Sequence, residues 1–249
     1  YMISIVHTHT GKIYVDKERK LEFLTVGDYG KENNIKADFL GLHKEINGVA
    51  NTEVDLTKKW VATISTQKGC PMKCKFCDCP RFGFHGNATV HELAYEIQTI
   101  LEGETIDHTE RFNVHFARMG EPTFNRNVIK SAKYIAQLLL DKDSDISFKE
   151  YHPVVSTMMP KANKNLESFI NDWVNTGFIY GGEDGFGLQF SINTLNEEDR
   201  NAMFDNRSLS LEEIGKIIDR LPMPKKRKYT LNFAVTSKSN LDPELMDKY

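Results

Sequence analysis

Residues 69–80 read Gly69-Cys70-Pro71-Met72-Lys73-Cys74-Lys75-Phe76-Cys77-Asp78-Cys79-Pro80, and they contain all four cysteines of the 249-residue chain. The first three have the spacing C-x3-C-x2-C, with an aromatic residue just before the third. Clustered thiolates are soft ligands suited to zinc or to iron–sulfur clusters. A structural zinc site draws two ligand pairs from separated parts of the chain. No second C-x2-C is present, and Cys79 stands only two residues beyond Cys77. Disulfides would close very small loops and stabilise little. Three thiolates at this spacing hold three irons of a 4Fe–4S cube and leave the fourth iron open.

The surroundings of the cysteine loop are those of an α/β protein. Residues 60–66, from Trp60 to Thr66, form a predicted buried strand that runs straight into the loop. Thr89 and Glu92 then make a capping box, followed by an apolar stripe at helical spacing from Val90 to Leu101. The alternation continues. Strands are predicted at 112–117, 151–156, 186–192 and 229–235, and helices at about 126–140, 163–174 and 210–220, the last opened by a Ser210/Glu213 capping box. The Gly-rich stretch 177–187 reads as a surface loop. Its glycines precede a strand, whereas a dinucleotide fingerprint opens a helix.

Alternating strands and helices imply a parallel sheet with right-handed crossovers. Cysteines 70–77, Gly120-Glu121-Pro122, Ser156, and Ser191 with Asn193 all fall at or just after strand C-termini. Barrel enzymes carry their chemistry on that face, and doubly wound sheets bind ligands there too. The fold expected is α/β: a partial TIM-like β/α barrel. Residues 60–249 make the barrel, and residues 1–59 a small β-rich N-terminal extension. In the extension, 2–7, 12–15 and 21–26 read as short strands, and 28–59 is polar with no clear period. His7 and His9 share a strand face, but no third ligand lies nearby, so they read as a surface pair.

Hydrophobic content of 40% and charged content of 27% fit a soluble globular protein. No apolar run approaches the length of a membrane span, and the start lacks a signal-peptide pattern. The expectation is a cytoplasmic protein without membrane contact, where reduced thiols persist. A net charge of −3 does not favour a dedicated nucleic-acid module. Local basic residues remain candidates for steering phosphate: Arg118 and Arg126 flank the Gly120-Glu121 loop, and Lys225-Lys226-Arg227-Lys228, with Arg81 and Arg207, offers more charge. The lysine-rich run reads better as a solvated turn after Pro224. The chain stops at Asp247-Lys248-Tyr249 soon after a strand, the pattern of a C-terminus cut short.

Taken in order, these residues resemble the radical S-adenosylmethionine superfamily, and within it the ribosomal RNA adenine methyltransferases. The carriers run from about Ser65 to Val235: Ser65-Thr66-Gln67-x-Gly69-Cys70, Gly83-Phe84-x-x-Asn87, Met119-Gly120-Glu121-Pro122 with Asn125, Ser156-Thr157, and Ser191-Ile192-Asn193 with Asn196-Glu197. The resemblance implies that Cys70, Cys74 and Cys77 hold a 4Fe–4S cluster whose open iron chelates S-adenosylmethionine. It implies that Gly120 and Glu121 meet the methionine amino group. Ser156, Ser191, Ile192 and Asn193 would then hold its carboxylate or ribose. It also implies a flavodoxin- or ferredoxin-like one-electron reductant, an RNA substrate, and 5′-deoxyadenosyl radical chemistry that methylates a base.

Two thiols of that family are not matched. The position seven residues before the first cluster cysteine is Thr63, and no cysteine follows Cys79. A hydroxyl cannot replace a thiolate in thiol chemistry. If the chain is complete, methyl transfer as the family performs it has no methyl carrier; if it is truncated, only the second absence is excused. The alternatives are radical chemistry of another kind on a peptide or small molecule, and a non-catalytic metal or electron-transfer module. Cys79 reads as a bystander in the loop.

Overall fold

A computed structural model describes residues 3–8, 11–27, 56–139 and 145–234. His9, of the His7/His9 pair, and the polar stretch 28–55 lie outside the described residues.

Ten strands and five α-helices follow one another in the described residues. An antiparallel meander comes first: β1 (Ser4–His7), β2 (Gly11–Asp16) and β3 (Leu21–Gly27). β3 then pairs antiparallel with β4 (Trp60–Ile64), so the meander continues the main sheet. From β4 the sheet is parallel through β7 (His108–Phe116), β8 (Ser147–Thr157), β9 (Gly187–Ser191) and β10 (Thr230–Asn232). The order β1-β2-β3-β4-β7-β8-β9-β10 leaves β1 and β10 as edges among the described residues, so the barrel is partial, as expected.

The parallel strands carry long apolar side chains because both of their faces are covered. α1 (Val90–Glu102), α2 (Asn127–Leu139), α3 (Leu166–Tyr180) and α5 (Leu211–Ile218) supply the outer cover. Leu93, Ile97 and Ile100 of α1, with Val128, Ala132 and Ile135 of α2, join Trp60, Phe112, Phe116 and Trp173 in one buried core. Aromatic pairs run through this layer: Trp60 with Phe112, Phe116 with Trp173, and Trp173 with Phe186. Both capping boxes form as read. None of the described helices is long and apolar enough to cross a membrane.

Three local features depart from the sequence reading. α3 continues to Tyr180 instead of ending at 174, and the surface loop begins after it. Gly177 is a contact residue inside that helix, because a Cβ there would lie 2.3 Å from the Phe186 amide nitrogen. The short ribbon of β5 (Gln67–Gly69) and β6 (Phe84–Asn87) brackets the cysteine loop and has no apolar alternation to announce it. The third is α4 (Glu197–Met203), a seven-residue helix capped by Asn196, whose side chain accepts from the Asp199 amide.

Candidate active site

The β5–β6 ribbon fixes both ends of the cysteine loop. Cys70 N–H donates to the Gly83 carbonyl. Gly69 adopts φ +75°, and a Cβ there would fall 1.8 Å from the Gly83 oxygen, so only glycine fits. The loop returns through a 3-10 turn over Cys79–Phe82. Between these anchors the loop leans on α4: Lys75 N–H donates to the Met203 carbonyl, and the Phe76 ring meets Phe204 edge-on.

A cleft of about 190 Å³ opens at the C-terminal ends of the parallel strands. Cys70, Cys74, Cys77 and Cys79 line it from the loop, Gly120 and Glu121 from the end of β7, Ser156 from β8, and Ser191 and Asn193 from β9 and its extension. Met72, Met158 and Phe204 form its apolar floor, with Cys70 and Cys74 packed against them. The strands thus bring together nearly all the site residues read from the sequence. Ile192 is the exception. The alternation along β9 sends its side chain into the core, its N–H to the Asn232 carbonyl, and its carbonyl to Arg200.

Glu121 is fully buried, and its carboxylate is held by four donors. Oε1 accepts from the Thr123 amide at 3.1 Å, the Thr123 hydroxyl at 2.8 Å and the Thr157 hydroxyl at 2.7 Å; Oε2 accepts from the Met158 amide at 3.0 Å. Burial pushes its pKa up, and these hydrogen bonds oppose the shift without reversing it. The Glu121 amide donates to Gln67 Oε1 at 2.9 Å, and Gln67 Nε2 donates to Asn87 Oδ1 at 2.7 Å. Asn125 Nδ2 bridges the carbonyls of Thr66 and Ala88. Thr66, Gln67, Asn87 and Asn125 therefore position the acid and do not line the cleft. Gly120, at φ +97°, sits so close to Gln67 that a Cβ would be 2.6 Å from the Gln67 Cβ.

Burial raises the Cys70 thiol to about 11 and the Cys74 thiol to about 12. Cys77 and Cys79 share a hydrogen bond that lowers Cys77 and raises Cys79. Cys79 also lies 3.6 Å from the Arg118 carbonyl. Among the described residues no three His, Cys, Asp or Glu side chains converge tightly enough for a single metal ion. A tetrahedral zinc requires sulfurs about 2.3 Å from one point. Cys70, Cys74 and Cys77 line one cleft together, a soft thiolate donor set of the kind that holds iron–sulfur clusters.

A cluster with S-adenosylmethionine fits the donor set in two further respects. Asn193 Nδ2 is buried and has no hydrogen-bond partner among the described residues, while its Oδ1 accepts from the Ala234 amide. A buried unpaired donor on a cleft wall is costly unless a ligand atom accepts from it. Glu121 meanwhile has four neutral donors and, among the described residues, no basic side chain at hydrogen-bond distance, which suits an incoming ammonium group. Asn193 also holds φ +67°, an uncommon conformation for a residue other than glycine.

The basic candidates separate. Arg118 lines the cleft but is bound to Glu22 of β3. Arg126 points elsewhere, to Asp172 on α3. Lys225 and Lys226 pair with Glu183, and Arg227 turns inward against Gly187. Sequence reading quoted Thr157 without a role and missed Thr123, Met158, Phe204 and Arg200. Arg200 is fully buried on α4 and donates to the Ile192 and Leu209 carbonyls and to Ser208 Oγ, locking the β9 extension to α4. A charged residue in a short polar helix gives no sign of this.

No family model matches the chain. Two curated relatives are the dual-specificity RNA methyltransferase RlmN of a Nitratiruptor species and that of Syntrophus aciditrophicus. The first is 24% identical over 188 residues, 74% of this chain and 48% of the relative. The second is 27% identical over 186 residues, 74% of this chain and 48% of the relative. The chain thus spans about half the length of the curated relatives it matches. A crystal structure of a radical SAM methyltransferase from Sphaerobacter thermophilus superposes with a TM-score of 0.62 at 16% identity, covering 99% of this chain and 62% of that one. In sequence and in fold, this chain resembles the radical S-adenosylmethionine methyltransferases.

Proposed function

We propose that the chain carries the catalytic barrel of a radical S-adenosylmethionine enzyme that modifies an RNA base, by methylation as its relatives are named. One observation carries the reading: three thiols at C-x3-C-x2-C spacing, the buried Glu121, and the strand-end residues Ser156, Ser191 and Asn193 share one cleft. Cys70, Cys74 and Cys77 would hold a 4Fe–4S cluster, with residues 60–249 as the barrel and 1–59 as its β-rich extension. When bound, the cluster supplies an electron for reductive cleavage of S-adenosylmethionine to a 5′-deoxyadenosyl radical.

This chain's own residues bind and orient. Glu121 accepts from the ligand ammonium, and its four donors keep the carboxylate aimed while the charge is buried. Asn193 Nδ2 donates to a ligand oxygen. Ser156, whose hydroxyl donates to Gln189 Oε1, keeps oxygen lone pairs for a ligand donor. Met72, Met158 and Phe204 exclude water from the floor. A flavodoxin- or ferredoxin-like protein in the cytoplasm would deliver the electron.

Thr63 supports a second reading, in which the same scaffold runs radical chemistry without methyl transfer on another substrate. Thr63 pairs with Leu24 on one side and His115 on the other in the sheet, at the position where the resemblance calls for a cysteine.

Anaerobic reconstitution with iron and sulfide tests both. We expect broad iron–sulfur absorbance, loss of bound iron in Cys74→Ala, and 5′-deoxyadenosine from S-adenosylmethionine on reduction. Reconstituted protein that binds no iron and makes no 5′-deoxyadenosine would sink the enzyme reading. A methylated RNA product separates the first reading from the second.

A further inference from the structure

A second cleft, of about 300 Å³, lies on the other side of the loop that carries Gly120. Its walls are the β2–β3 turn (Lys17, Lys20, Leu21) and the end of the cysteine loop (Phe82, His85), with Met119 between. Met119 lines this cleft while Arg118 and Gly120 line the first, so a single strand-end segment separates the two.

The charge around the second cleft is uneven. Its carboxylates are already matched: Asp16 is bound by Arg19 and by the Tyr95 hydroxyl, and Glu22 by Arg118. Its two lysines are not matched by acids. Lys17 has no ion pair among the described residues, and Lys20 Nζ donates to His85 Nδ1 at 3.1 Å. The other imidazole nitrogen, His85 Nε2, sits 3.0 Å from the Phe82 carbonyl. With Glu18 exposed between Lys17 and Lys20, and Asp16 bound by Arg19, the turn 16–20 keeps one net positive charge at the rim. Lys20 adopts φ +57°, an uncommon conformation that the short turn imposes.

The wall is aromatic as well as basic. Phe82 is 59% exposed, and Phe84 next to it is 49% exposed. Large rings left in water beside unmatched cations are the elements of a base-stacking platform, in which rings take bases and lysines track phosphates. A cleft of this size lies at the small end of ligand pockets and has room for one base. A folded protein partner instead docks through a broad, shallower surface.

Resting on the RNA reading above, we propose that this second cleft seats a single-stranded segment of the RNA flanking the target, with Phe82 stacking a base and Lys17 and Lys20 meeting the phosphates on either side. The target base would then reach the first cleft across the Met119–Gly120 segment.

The test is fluorescence anisotropy of the whole chain, cluster reconstituted, with a short labelled single-stranded RNA over a salt series. Phe82→Ala should bind about fivefold to a hundredfold more weakly, the loss of one stacked base. The double variant Lys17→Ala/Lys20→Ala should flatten the log affinity–log salt slope by about 1.4, the loss of two single-strand phosphate contacts. Iron content of Phe82→Ala checks that the cysteine loop is intact, and the lysine pair tests the cleft from outside that loop. If the parent chain binds RNA and all variants keep its affinity and slope, the cleft assignment is overturned while the RNA reading stands. If the parent chain cleaves S-adenosylmethionine yet binds no RNA, the RNA reading falls and takes this one with it. If the variants lose an acidic flavodoxin instead of RNA, the surface belongs to the reductant and the proposal is overturned.

Discussion

Glu121 at the cleft and Glu96 beneath β4 are both fully buried carboxylates, and the fold treats them in opposite ways. Glu121 receives four hydrogen bonds from the Thr123, Thr157 and Met158 groups around it. Glu96, on α1, receives one, from the Ser65 amide at 2.7 Å, and its other oxygen has no partner among the described residues. Burial raises both, but Glu96 goes much further, with only the Ser65 bond opposing and the nearby Glu92 and Asp16 adding to the rise. The difference teaches where charge is intended. Preorganised donors around Glu121 make an anion available to a cation in the cleft. Burial with a single donor favours the neutral form of Glu96, which links α1 to the start of the cysteine-bearing segment through the Ser65 amide.

The sharpest break of this comparison is Glu121→Ala. Loss of one charge-assisted bond of about 1.5–3 kcal/mol should weaken S-adenosylmethionine roughly tenfold to a hundredfold, read by equilibrium dialysis on the reconstituted protein. Unchanged affinity would make Glu121 a structural acid like Glu96. Gly120→Ala should cost about 1–3 kcal/mol in denaturant unfolding, since it forces a Cβ onto Gln67 at a positive φ. A neutral outcome would show that Gln67 gives way and that the Glu121 amide is not held by it.

Smallest is Glu96→Gln, which tests the neutral side of the comparison by pH. A carboxyl raised by folding contributes its full stability below its unfolded pKa and loses it as pH rises through the folded value. Urea unfolding should therefore find the variant equal to the parent chain in acid and more stable than it at alkaline pH. Equal stability at both ends would mean that Glu96 ionises at no cost.

Much of this was legible in the sequence for local reasons. The cysteine spacing, the two capping boxes and the apolar stripes of α1 and α2 each lie within a few residues, where periodicity and hydrogen-bond reach act directly. Reading failed where the signal was short or polar. β5 is three residues, Gln67–Gly69, and holds its place through backbone bonds to β6. The first half of β8, from Ser147 to Glu150, is mostly polar, so pairing with β7 defines it as strand, not alternation. Gly177 looked like a breaker because a close approach to Phe186 is invisible from one strand of text.

The sequence by itself determined the thiol set, the α/β alternation and the placement of unusual residues at strand ends, because these follow from nearest-neighbour chemistry. Only the tertiary structure decided that Glu121 meets Thr157 and Met158, and that the β2–β3 turn stands against the cysteine loop to make a second cleft. Those contacts join segments tens of residues apart. Their partners are chosen by packing of the sheet as a whole, so no local pattern encodes them.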